Sequence, residues 1–119
     1  MNKKLLGRWG ESLAAEYLKH QKYKIVGLNY SCRFGEVDII AENRQYVAFV
    51  EVKLRKNAAF AEAREYVTAL KQERIKKTAL MWLSQNETQK QPRFDIIEIY
   101  APLGENTEKP EIIHTGNAF

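Results

Sequence analysis

Residues 35–53 read GEVDIIAENRQYVAFVEVK. The spacing predicts two strands, 36–41 and 46–54, joined by a turn. Side chains two apart on a strand share a face of the sheet. Glu36 and Asp38 therefore share one face of the first strand, and Glu51 and Lys53 share one face of the second. A two-residue turn at Arg44-Gln45 sets Asp38 directly opposite Glu51. Opposed side chains on an antiparallel pair lie ~4.5–5.5 Å apart at Cβ, and like charges there destabilise the pair. A divalent cation between the carboxylates would relieve that repulsion. Arg44-Gln45 is not the Asn-Gly or Asp-Gly pair that tight turns prefer. A four-residue loop around Asn43 would keep the faces but bring Glu36 nearer Glu51, and an odd-length loop would separate the faces.

The rest of the second strand supports a site at its far end. Ala48, Val50 and Val52 are apolar throughout, whereas the alternate face begins with Val47 and Phe49 and ends with Glu51 and Lys53. Folding alone gives no reason for that switch. Working outward, residues 4–20 form a helix by their spacing, with Leu6, Trp9, Gly10, Leu13, Ala14, Tyr17 and Leu18 on one stripe. Glu11 borders the stripe among small residues, Gly7, Ala14 and Ala15. Glycine disfavours a helix by ~1 kcal/mol relative to alanine, so two glycines here point either to space kept around the carboxylate or to close packing on the sheet. Glu16 reads as a surface charge.

Residues 23–30 give a first strand interrupted at Gly27, and 31–35 connect it to the next. Residues 54–66 lack periodicity and read as a loop. Thr68 is an N-cap for a second helix running to about Ser84, with Val67, Lys71, Ile75, Thr78 and Trp82 along one side. Lys71 on this stripe either snorkels to water or points along the sheet toward phosphate or the carboxylates. After a polar connector, 85–92, residues 93–100 form a fourth strand and 110–114 a short edge strand. This order predicts an α/β fold, a mixed sheet flanked by helices.

The length of 119 residues suits one domain, 1–119. Hydrophobic and charged contents of 45% and 29% are those of a soluble globular chain. No apolar run approaches the ~18 residues of a membrane span, and the start has no signal-like apolar region. A single cysteine, Cys32, allows no internal disulfide, which fits a cytoplasmic location. Cys32 has no evident base beside it, and His20 and His114 lack ligand-like spacing. GRWG at 7–10 follows no strand and is no phosphate loop. Asp95, in RFDII, faces solvent or pairs with a basic residue.

The net charge of +4 is unevenly spread. Residues 1–24 hold six Lys/Arg against two Glu, and 53–77 hold eight against three, while 95–119 hold one against five Asp/Glu. Basic segments beside an acidic pocket suit a polyanion brought to a metal, although solvated helix faces give the same pattern. Mg²⁺ commonly takes one or two carboxylates, waters and substrate phosphate. Asp38, Glu51 and the Val52 carbonyl can supply the protein oxygens. Glu11 can reach the same site, and Lys53 can orient water or stabilise developing charge. The competing reading is a pair of exposed ion pairs around Lys53, each worth ~0–1 kcal/mol.

GRWGESLAAEYL, NYSCRFGEVDII, FVEVKLR, VTALKQERI, RFDIIEI and the closing NAF together span nearly the whole chain. On these motifs it is identified as a member of the YraN-like family of small bacterial proteins. That family resembles the PD-(D/E)XK, or restriction-endonuclease-like, superfamily, and within it the archaeal Holliday junction resolvases. The resemblance implies an αβββαβ core and a Mg²⁺- or Mn²⁺-dependent endonuclease acting on DNA, branched DNA included. It assigns catalytic roles to Glu11, Asp38, Glu51 and Lys53, with metal held by Asp38, Glu51 and Val52. Val37 stands where the superfamily often has proline. The flanking basic residues Arg8, Arg33, Arg55, Lys56, Lys71 and Arg74 are the nucleic-acid contacts expected with that reading. A homodimer would match a symmetric junction. The alternatives are a non-catalytic nucleic-acid-binding module of the same fold and a protein-interaction factor using the acidic tail.

Overall fold

The computed structural model describes residues 3–56 and 67–119. Helix α1 spans Lys3–His20, followed by strands β1 (Lys24–Cys32), β2 (Gly35–Glu42) and β3 (Tyr46–Arg55). Helix α2 (Ala69–Gln85), strand β4 (Gln91–Tyr100), a 3-10 turn (Gly104–Asn106) and strand β5 (Glu111–Thr115) complete the order. The five strands form one mixed sheet in the order β1-β2-β3-β4-β5. Only β3 and β4 run parallel, since α2 carries the chain back between them. Of the loop expected at 54–66, residues 54 and 55 belong instead to β3, and 57–66 lie outside the described residues.

The helices cover opposite faces. Ala14, Ala15 and Leu18 of α1 pack on Ile39, Ala41, Ala48, Val50, Ile97 and Ile99. Ile75, Ala79 and Trp82 of α2 pack on Val37, Ile40, Val47 and Phe49. The alternation in β3 thus separates two cores, Ala48 and Val50 toward α1 and Val47 and Phe49 toward α2. No helix among the described residues is long and apolar enough to cross a membrane. At the C-terminus, the Ala118 N–H donates to the Phe94 carbonyl at 2.7 Å. Phe119 stacks on Phe94 with ring centroids 5.4 Å apart.

The β2–β3 register pairs Ile39 with Val50 and Glu42 with Val47, leaving Arg44-Gln45 as a two-residue turn. Asn43 explains why this pair can turn tightly. Its Oδ1 accepts from the N–H groups of Gln45 (2.9 Å) and Tyr46 (2.8 Å), an Asx turn in place of the usual glycine. Asn43→Ala removes both bonds and is expected to lower stability by about 1–2 kcal/mol, read from the urea midpoint.

One expectation is corrected, and two others take a definite form. The β1–β2 connection is not five residues but the pair Arg33-Phe34, because Cys32 already pairs with Gly35. Gly35 has φ 153, a backbone conformation that favours glycine, and a Cβ there would also crowd Thr78 Oγ1 of α2 at 3.3 Å. The interruption in β1 is a bulge between Ile25 and Gly27. Gly7 does not guard space for Glu11: a Cβ there meets nothing within 4 Å, and one on Gly10 makes ordinary contacts with Leu54 and Ile99.

Candidate functional site at the β2–β3 fork

The β2–β3 ladder runs as far as Ile39 and Val50. One step further, its register sets Asp38 opposite Glu51. In a continued ladder the Val52 N–H would meet the Val37 carbonyl. Instead it donates to Asp38 Oδ2 at 2.8 Å, so an aspartate side chain takes over a backbone position and the strands part around it. Of Val52, it is the N–H that the structure places on this carboxylate.

Glu51 is 7% exposed and is one of three buried polar or charged residues among those described. Lys53 Nζ lies 3.7 Å from Glu51 Oε1. Lys71 Nζ lies closer, at 2.7 Å from the same oxygen. Of the two readings for Lys71, the structure favours the one toward the carboxylates, although the side chain keeps 42% exposure. Thr68 fixes its backbone, for the Thr68 hydroxyl accepts from the Lys71 N–H at 3.1 Å as the N-cap of α2. The first turn of α2 thereby delivers an ammonium group to the end of β3.

Electrostatics mark Asp38 as the strained member. Burial first, then the Glu51 charge, with smaller contributions from Glu11 and Glu36, push its carboxyl up to about 7 against the opposing Val52 N–H. Glu11 is raised as well, by burial and by Glu36 and Glu51, with the Asn29 side chain acting the other way. Asn29 falls between the Leu28/Ile39 and Tyr30/Val37 pairs, across β1 from Asp38, and has φ 50. Asparagine tolerates that conformation better than most residues. Sequence reasoning missed Asn29, and its only signal is this residue type inside a strand.

The donors here are all hard oxygen. Among the described residues no three His, Cys, Asp or Glu side chains converge as a ready cage. Asp38 and Glu51 therefore fit a cation that completes its shell with water and substrate oxygen, as Mg²⁺ does.

A family model described as "Uncharacterised protein family UPF0102" matches residues 10–99. The chain belongs to the UPF0102 family. The UPF0102 protein of Caldanaerobacter subterraneus subsp. tengcongensis is 43% identical, with 100% of this chain and 98% of the relative covered. Those of Geotalea uraniireducens (44%, covering 98% and 90%) and Nocardia farcinica (40%, covering 99% and 91%) are similar over comparable lengths. This UPF0102 family is the YraN-like family named from the motifs above.

The basic residues of this UPF0102 chain divide. Arg8, Arg33, Lys56 and Arg74 are exposed, and Arg33 lies over the Phe34 ring at 4.8 Å. Arg55 is corrected: its Nε donates to Glu98 Oε2 at 2.8 Å and its side chain is only 8% exposed. It ties β3 to β4 rather than facing a ligand.

Asp95 does not face solvent. It is fully buried and its two oxygens accept from Arg93 Nε and Nη2, both at 2.8 Å. They also receive His114 Nε2 at 2.7 Å and the Asn117 N–H at 3.0 Å. The Tyr17 hydroxyl lies 3.2 Å from His114 Nδ1. An ionised carboxylate only accepts, so the Nε2–H form of the ring suits both neighbours. Arg93 also donates to the Tyr23 hydroxyl and lies over the Tyr46 ring. Asp95 shares its face with Ile97 and Ile99, on the α1 side. The cluster joins α1, β4 and β5 and is separate from the fork.

Proposed function

We propose that this UPF0102 chain is a Mg²⁺- or Mn²⁺-dependent nuclease that hydrolyses DNA phosphodiester bonds, with branched DNA as the preferred substrate class. The observation that carries the reading is the fork itself: Asp38 held by the Val52 N–H, a buried Glu51 beside it, and Lys53 on the same face. The order of one helix, three antiparallel strands, a helix and a parallel strand supports the restriction-endonuclease-like arrangement implied by the motifs.

Asp38 and Glu51 would hold the cation, with the Val52 carbonyl as a third oxygen. When bound, a hard divalent ion supplies Lewis acidity toward a phosphoryl oxygen and an attacking water. The protein's own groups do the rest. Lys53 presents positive charge where negative charge develops on the phosphoryl oxygens. Glu11 comes from α1 and is close enough to Asp38 for its charge to be felt there, which suits it to orient water. Exposed Arg8, Arg33, Lys56 and Arg74 supply sequence-independent attraction for phosphates.

A non-catalytic DNA-binding module would share those basic residues. It has no use for two like charges held together with one of them buried, which costs stability. The test is incubation of the protein and Mn²⁺ with a labelled four-way junction beside a matched linear duplex. Cleavage of the junction in preference to the duplex is expected. Equal cutting of both would remove the branched-substrate part of the proposal, and a shifted but uncut junction would favour the binding module.

A further inference from the structure

Two lysines share one oxygen of Glu51, and their positions differ in kind. Lys53 stands on the same strand, at 3.7 Å. Lys71 comes from another element and makes the shorter contact, at 2.7 Å. Glu51 is almost fully buried, whereas Lys71 is nearly half exposed. The ammonium thus approaches the carboxylate from the solvent side of the site, on a long unbranched stem that can retract. A hydrogen-bonded ammonium on Oε1 and a divalent ion would both draw on the negative charge of this one buried carboxylate.

We infer that Lys71 is an exchangeable counter-ion: it neutralises Glu51, yields that oxygen to an incoming divalent cation, and in yielding presents its ammonium to a substrate phosphate. This inference rests on the proposed metal-dependent reading of the same site. It gives that site an order of events. Cation loading releases Lys71, and the released group then adds to phosphate binding, so metal and nucleic acid assist each other. Geometry supports the second half as well as the first. Lys71 stands in the first turn of α2, where the helix dipole also favours an anion, and Arg74 follows on the exposed surface of the same helix.

Lys71→Gln removes the charge and keeps a polar, unbranched side chain one atom shorter. Its half-exposed position makes the variant a mild one for folding. Mn²⁺ binding to wild type and variant, without nucleic acid, is followed by the electron paramagnetic resonance signal of free Mn²⁺. The variant is expected to bind Mn²⁺ about three- to tenfold more tightly, the range equivalent to losing a partly exposed ion pair. Equal or weaker Mn²⁺ binding by the variant would overturn the exchange and make Lys71 a support for Glu51. A wild type that binds no Mn²⁺ would instead remove the proposed metal site, and this inference with it.

A second measurement tests release. Binding of a four-way junction is measured with Ca²⁺ and, separately, with chelator. Lys71→Gln is expected to weaken binding with Ca²⁺ by about three- to tenfold and to lower the salt slope by about one, with little change in chelator. Equal weakening in both conditions would make Lys71 an ordinary surface contact and overturn the coupling.

Discussion

Asp38→Asn is expected to reduce divalent-dependent cleavage to background, a loss of at least about 10³-fold, on the scale of removing a preorganised electrostatic group. Junction binding should survive, because the exposed basic residues are untouched. The stability of the variant separates this account from a structural role. Asparagine keeps an oxygen to accept the Val52 N–H, which now reaches Asp38 Oδ2 at 2.8 Å. It removes a charge that burial and Glu51 both oppose. Thermal unfolding in chelator should therefore show no loss, and a gain of about 0.5–2 kcal/mol is expected, as is common when a functional site is neutralised. A variant that cleaves as well as wild type would place the chemistry elsewhere. One that loses activity only because it unfolds would make Asp38 a structural residue.

The opposite pattern is expected at Asp95. Asp95→Ala removes the common acceptor of Arg93, His114 and the Asn117 N–H and leaves a mostly buried guanidinium without its counter-charge. Breaking a buried pair in this way typically costs about 3–5 kcal/mol, a large part of the ~5–15 kcal/mol that holds a domain together. The midpoint of thermal unfolding should fall by at least about 10 °C. A fall of only a degree or two would mean that the cluster is not the clamp between α1, β4 and β5 that its bonds describe. The pH dependence has a definite sign. Burial would raise the Asp95 carboxyl, but His114, Arg93 and the Asn117 N–H outweigh it and hold it below the ordinary aspartate value. Its contribution is therefore present above the unfolded value of ~3.9 and is lost as pH falls through the lower folded one. The stability difference between wild type and Asp95→Asn should be flat from neutral pH to about 5 and should shrink below about 4.

These two aspartates sit in near-identical local sequence, VDII and FDII, yet the fold uses them oppositely. The difference was legible in part. Around Asp38 the decisive partners lie along one hairpin, so strand periodicity and the Arg44-Gln45 turn were enough to bring Glu51 opposite. Asn43 provides the turn chemistry that the dipeptide itself lacks. Pairing of Asp95 with a basic residue was legible, because Arg93 lies two residues away on the same strand; its other partners lie on β5 and the C-terminal segment, and no local periodicity reports a contact such as Tyr17 with His114 across the fold. Arg55 failed for the same reason: its basic neighbourhood read as a surface, while the parallel β3–β4 ladder, which pairs Lys53 with Glu98 and Arg55 with Tyr100, brings Glu98 within its reach. Lys71 was legible as a choice between two directions. Only the approach of the α2 N-terminus to the end of β3 decides it. The helix stripes, the order of elements along the chain and the Thr68 cap followed from sequence because each depends on neighbours within a turn or a strand.

The most direct measurement is single-turnover cleavage of a labelled four-way junction by the wild-type protein, first in chelator and then across a Mn²⁺ titration. The account predicts no product in chelator and a first-order rate that rises and saturates with Mn²⁺. Product formed in chelator, or none at any Mn²⁺ concentration by protein that still shifts the junction, would contradict it.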